Sequence, residues 1–171
     1  ILLFSPLVGA LICGFTWRLI GEHAACVVAT GFLFDESVDF QLLPLGDAFS
    51  ESGAPLVRVV HASPDAPPVD VGTWDGMTFG AVADYSGLAF GDASPSMGTA
   101  LPAQPLTIGV AAAGMTSPVA TFDIAPADGM KAFAVAAGSL TDKGESFRLL
   151  VVDASTSPWT AAEVLPNVMA R

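Results

Sequence analysis

The chain has 171 residues, room for one domain and a further piece, and 52% of them are apolar, which supplies a core and excludes global disorder. Acids outnumber bases 17 to 6 for a net charge of −11, so phosphate backbones and anionic headgroups are repelled and nucleic acid is excluded as a partner class. Between residues 55 and 166 the bases are Arg58, Lys131, Lys143 and Arg148, too scattered to form a patch.

Residues Ile1 to Trp17, ILLFSPLVGALICGFTW, carry no charge. As a helix rising 1.5 Å per residue the run reaches about 26 Å, slightly short of the roughly 30 Å hydrocarbon core of a bilayer. Three roles fit it: a shortened membrane helix, the apolar region of a signal peptide, or a segment folded against the domain that follows. The expectation is a hydrophobic, helical, membrane-helix-like or signal-like segment over residues 1–26, with membrane association through residues 1–17. Both cysteines, Cys13 and Cys26, lie in this segment, so the remainder must hold together without a disulfide. Few lysines and abundant Ala, Gly, Ser, Thr, Asp and Pro lean towards an extracytoplasmic place, secreted or in the cell envelope.

From Pro55 onward short apolar runs alternate with clusters of Pro, Gly, Asp and Ser. Strands are expected near Leu56–Val60, Val69–Thr73, Leu106–Ala112, Val119–Asp123, Ala132–Ala137 and Phe147–Val152, with weaker candidates near Phe79–Ala83 and Gly87–Phe90. Turn signals separate them: SPDAPP at 63–68, WDG at 74–76, PADG at 126–129 and TDKG at 141–144. Helical periodicity is lacking beyond one short turn expected over Trp159–Leu165. Many short strands in about 100 residues predict an all-β, two-sheet sandwich.

An internal repeat joins the two parts of the chain. At an offset of 107 residues, VVATGFLFDESVDFQLLPL (27–45) falls on AVAAGSLTDKGESFRLLVV (134–152) without a gap. Between Val28 and Leu45, eight of eighteen positions are identical, among them Gly31 with Gly138 and Phe40 with Phe147. Residues 27–45 thus read as the last hairpin of a preceding β unit, 46–55 as a linker, 56–166 as a complete unit and 167–171 as a tail. An isolated hairpin is only marginally stable in water. This one must therefore pack on something or remain mobile, and adding its strands to an exposed sheet edge is one expected solution.

The stretch LVRVVHASPDAPPVDV (56–71) resembles the signature of the domain of unknown function 4397 family, and PLTIGVAAAG, DGMKAFAVAAGSL and FRLLVVDASTSPW resemble its later segments. The resemblance covers residues 55–166, with 27–45 as the end of an earlier copy. It implies an immunoglobulin- or transthyretin-like β-sandwich, secreted or in the envelope and often in tandem, and it brings no catalytic residues. Residues 1–34 are similar, in LxxPLVGALICG, RLIGEHAA and TGFLF, to the start of the antiporter-like large membrane subunit of respiratory complex I. The two resemblances overlap at VVATGFLF, as they would at a chimeric join, and none of that subunit's proton-channel machinery is present.

Candidate chemistry is sparse. His61, Asp65 and Asp70 share one strand–loop–strand segment and could supply some ligands to a divalent ion such as calcium. The competing reading has Ser63 and Asp65 bonding backbone amides of the turn while His61 packs at a strand end. Asp75, Asp84 and Asp92 lie in loops but form no D-x-D-x-D-G run. With two histidines in the chain and no G-x-S-x-G elbow, nucleophilic catalysis finds no support, and phosphate-binding glycine loops are absent. Trp74 and Tyr85 are candidates for a surface that takes a protein or glycan partner, whereas Trp159 is expected to close one end of the sandwich core. The resulting expectation is a non-enzymatic structural, adhesive or binding module without a cofactor. The alternatives are a metal-dependent binding domain or enzyme built on His61, Asp65 and Asp70, and a chain carrying the N-terminus of a complex I membrane subunit.

Overall fold

A computed structural model of the chain describes residues 25–30, 41–140 and 146–169. The hydrophobic helical segment expected over 1–26 lies outside the described residues except for its last two, which begin a strand instead. That strand, β1 (Ala25–Thr30), pairs antiparallel with β2 (Gln41–Gly46) as a separate two-stranded sheet.

The complete unit supplies β3 (Leu56–Ala62), β4 (Val69–Trp74), β5 (Phe79–Ala81), β6 (Thr99–Ala100), β7 (Leu106–Ala112), β8 (Ala120–Ile124), β9 (Lys131–Ala137), β10 (Arg148–Asp153), β11 (Thr160–Val164) and β12 (Val168–Met169). They form two five-stranded sheets, ordered β11-β10-β9-β3-β6 and β12-β8-β7-β4-β5. Pairing is antiparallel except between the central strands β3 and β9, which run parallel from Leu56↔Lys131 to Ala62↔Ala137. The fold is all-β with two sheets facing each other, as the strand pattern predicts.

Alternation along each strand builds the core. Val57 and Val59 of β3, Ala134 and Ala136 of β9 and Leu149 of β10 point inward and meet Val69, Val71, Ile108, Val110, Ala120 and Phe122 of the other sheet. The opposite face of the first sheet is apolar as well: Val60, Ala62, Phe133, Val135, Leu150 and Val152 form a second cluster. A sandwich face left to solvent would alternate to polar residues at these positions. In β3 every residue is buried instead, so LVRVVHA is the near-continuous apolar run of a strand covered on both sides.

The cover is the β1–β2 hairpin. Cys26, Val28, Leu43 and Leu45 lie in the second cluster, together with Phe49 of the linker and Trp159. Phe133, fully buried, takes the Phe49 ring at 5.1 Å and the Trp159 ring at 5.8 Å between centroids. Thr30 Oγ1 donates to the Ala62 carbonyl at 2.7 Å, and Arg58 Nη1 donates to the Gly46 carbonyl at 3.0 Å while its guanidinium lies 5.4 Å from the Phe133 centroid. The hairpin therefore stacks on the sheet's face rather than extending an edge. A flat apolar face offers more area to bury than an edge ladder two strands long.

Three further expectations are corrected. Residues 87–90 form no strand, although Leu88 makes a single bridge to Val69. The helical turn over Trp159–Leu165 is replaced by β11, held by pairing with β10 from Leu149↔Val164 to Asp153↔Thr160. Trp159 packs on the outer face beside Phe133, not at the end of the inter-sheet core.

Truncation in the second cluster should cost as much as truncation in a conventional core. Phe133→Ala is expected to lower the unfolding free energy by about 3–5 kcal/mol. Leu42→Ala, on the opposite side of the hairpin where Leu42 is 62% exposed, is expected to lower it by less than about 0.5 kcal/mol. Urea denaturation of both variants reads the contrast.

Candidate functional site

The SPDAPP loop follows β3 directly, so His61 stands at the inner end of that strand and Asp65 in the turn itself. His61 is 1% exposed. The Ser63 amide donates to its Nδ1 at 3.3 Å, which places the ring proton on Nε2, and Nε2 donates to the Pro67 carbonyl at 3.1 Å. Both ring nitrogens are thus engaged by the loop that His61 anchors. Burial pushes its pKa below the usual value, against smaller opposing effects of the Pro67 carbonyl and Asp92.

Asp65 reaches across to the loop between β9 and β10. Its Oδ2 accepts from Ser139 Oγ at 2.6 Å, and its Oδ1 accepts from the Leu140 amide at 3.0 Å and from Ser63 Oγ at 3.3 Å. Ser63 Oγ also lies 2.6 Å from the Gly138 carbonyl. Gly138 has φ of 92°, a left-handed conformation open to glycine, and it turns the chain out of β9 toward the carboxylate. Asp70 faces elsewhere, accepting from the Gly87 amide at 2.7 Å and the Gly114 amide at 2.8 Å.

His61, Asp65 and Asp70 are therefore adjacent in sequence but serve three separate loop contacts. Among the described residues no three His, Cys, Asp or Glu side chains converge as a metal site. The other loop acids follow the same pattern. Asp75 Oδ1 caps the Met77 and Thr78 amides, which hold its carboxyl below the usual range; Asp84 accepts from Thr99 Oγ1 and Asp92 from the Ala89 amide.

Of the two residues expected on a binding surface, Tyr85 is not on the surface. It is 1% exposed inside the inter-sheet core, and its hydroxyl donates to the Val57 carbonyl at 3.0 Å. Burial pushes its pKa up to about 12. A short 3₁₀ turn at Ala83–Tyr85 points the ring inward, a feature that the loop-like sequence around it does not reveal. Trp74 is half-buried at the end of β4, directly opposite Phe79 of the edge strand β5. The pair shares the outer face of the second sheet with Gly72 and Gly109, and a Cβ on Gly109 would meet the Phe79 ring and Pro118.

Between the sheets a gap of about 40 Å³ is walled by apolar side chains such as Val59, Ile108, Phe122 and Leu149. Ligand pockets run to several hundred Å³ with convergent polar groups, so this gap is a packing feature.

A family model described as domain of unknown function (DUF4397) matches residues 55–165. The chain belongs to that family. The matched residues run from the residue before β3 to just past β11 and take in both sheets of the unit except the two-residue edge strand β12. Separately, the chain is 65% identical over 34 residues to the NADH-quinone oxidoreductase subunit L of Rhodobacter capsulatus. That stretch is 20% of this chain and 5% of the subunit. No solved structure matches the chain.

The burial of His61 sets a pH dependence. Its folded-state pKa lies below its ordinary 6.5, so the unfolded chain binds the proton more readily. The His61 contribution is fully present above that value and is lost as pH falls through it towards the folded pKa. Stability by urea denaturation is expected to decline as pH falls below about 6.5, before the range where carboxylates titrate. In His61→Gln that part of the decline should vanish.

Proposed function

We propose that the chain is a non-enzymatic β-sandwich module of a secreted or cell-envelope protein, of immunoglobulin- or transthyretin-like kind, working in adhesion, scaffolding or partner binding. One observation carries the reading: the side chains best suited to chemistry, His61, Asp65 and Asp70, are each engaged by backbone amides or carbonyls that hold loops. A carboxylate whose oxygens accept from fixed amides is a structural strut, and recruiting it to a metal or a proton transfer would release those loops. The family's description assigns no activity. The net charge of −11 favours a protein or glycan partner over nucleic acid. Trp74 and Phe79 above the glycine floor of the second sheet are the surface best suited to such a partner.

The unit reads as one of a tandem array, with β1–β2 as the closing hairpin of a preceding copy. In the alternative without a preceding copy, the residues upstream of Ala25 serve as anchor or export segment. The similarity to the respiratory subunit concerns a 34-residue piece, 5% of that protein, and carries none of its activity into this reading. The two resemblances overlap at VVATGFLF, and any chimeric join is placed at that shared string.

Thermal unfolding with added ions tests the reading against its metal-dependent rival. An ion at 100 times its Kd would add about 2.7 kcal/mol of stability. Millimolar calcium, magnesium or zinc is expected to leave Tm unchanged. A metal-induced rise that disappears in Asp65→Asn would overturn the proposal. In intact cells, an externally added protease should cleave the chain; full protection until lysis would contradict the extracytoplasmic placement.

A further inference from the structure

The hairpin β1–β2 matches the hairpin β9–β10 in register as well as in sequence. Ala25↔Gly46 and Thr30↔Gln41 at its two ends become, 107 residues on, Ala132↔Asp153 and Ala137↔Arg148, and both of these pairs occur in β9–β10. Each residue of the two hairpin strands therefore has a counterpart of known surroundings.

The counterparts sort by face. Cys26, Val28, Leu43 and Leu45 correspond to Phe133, Val135, Leu150 and Val152, and all eight belong to the second apolar cluster. The hairpin thus meets the sandwich with the same face that the sandwich turns towards the hairpin. On the other face, Ala29, Leu42 and Pro44 are exposed, Leu42 by 62%. Their counterparts Ala136, Leu149 and Val151 face the inter-sheet core of the complete unit, against the sheet containing β7 and β8.

From these relations we infer that two successive copies of the unit stack through the outer faces of their β3–β9–β10 sheets, in a pseudo-twofold arrangement of which the β1–β2 hairpin is the resident half. The inference rests on the tandem reading. The exposed hairpin face is then the inner face of the preceding copy, and its occupant is that copy's own β4–β7–β8 sheet. The apolar outer face of β3 and β9, unexpected on a sandwich standing alone, is accounted for as a surface shared between neighbours. Like faces meeting across a pseudo-twofold give each unit of an array one partner through this sheet.

The test duplicates residues 55–130 directly ahead of Ala24, so that the hairpin gains the strands it lacks and residues 1–23 are replaced. Cys26 is then the sole cysteine of the extended protein, and the parent control carries Cys13→Ser. A second pair of proteins, parent and extended, carries Leu42→Cys with Cys26→Ser, and with Cys13→Ser in the parent. Thiol labelling is measured in all four. Leu42→Cys is expected to label fast in the parent and about 100-fold more slowly in the extended protein, as labelling limited by local opening requires. Cys26 is expected to stay slow in both.

Equal, fast labelling of Leu42→Cys in both proteins would mean that the hairpin completes no unit, and the tandem reading itself would fall. An added segment that stays unfolded beside a folded parent unit would overturn it equally. Slow Leu42→Cys combined with fast Cys26 in the extended protein would leave the tandem reading standing and overturn the stacking.

Discussion

The rest of the structure depends on covering the outer face of β3 and β9. These two strands run parallel at the centre of their sheet, and their side chains are apolar on both sides. The inner side is satisfied by the opposing sheet, as in any sandwich. The outer side presents Val60, Phe133 and Val135, and would be a patch of the kind that drives association if nothing lay over it. The hairpin, the linker ring of Phe49 and Trp159 together remove it from water. Arg58 marks the boundary of that cover: its guanidinium is held by the Gly46 carbonyl and the Phe133 face, while its Nε has no hydrogen-bond partner among the described residues. A buried N–H left in that state costs about 1–3 kcal/mol, which the surrounding apolar burial must offset.

Covering the face also fixes what the linker is. Residues 47–54 are not a loose tether, since Phe49 packs on Phe133 and the Ser50 amide donates to the Met97 carbonyl at 3.1 Å. Hairpin, linker and complete unit are thus joined by contacts on both sides of the connection. At the far end of β3 the loops are tied in a different manner, through polar groups. Asp65 links the SPDAPP loop to the turn after β9, and His61 supports the same loop from beneath. The acidic character of the chain is therefore partly structural, with several carboxylates capping amides in turns where glycine and proline have already set the backbone.

Most of the fold was legible from the sequence because short apolar runs bounded by turn residues carry the strand signal locally. β7 lies where its run places it, and β4, β9 and β10 within a residue or two. The misses have specific causes. TAAEV at 160–164 has helix-favouring residues, but an edge strand can be almost entirely exposed and is held by its partner, β10, which no local pattern reveals. β6 and β12, two residues each, are too short to leave a pattern. The all-buried run in β3 shows that both faces are covered but not by what, and the repeat supplied the candidate. For the site, the clustering of His61, Asp65 and Asp70 and a loop-holding role for Asp65 were visible, whereas the partners were not. The groups that bind Asp65 lie about 75 residues away at Ser139 and Leu140. Tyr85 shows the same limit, since its ring is buried by contacts with strands that its own segment does not resemble.

The central claim is that the hairpin and the sandwich form one cooperative structure through the shared apolar face. Native-state amide hydrogen exchange, followed at increasing urea, tests it most directly. If the account is right, the amides of Val28 and Leu43 open with the same free energy and the same denaturant dependence as those of Val60 and Phe133. Exchange of Val28 and Leu43 through a low-energy opening insensitive to urea, while β3 and β9 stay protected, would show that the hairpin is an appendage and that the face does not depend on it.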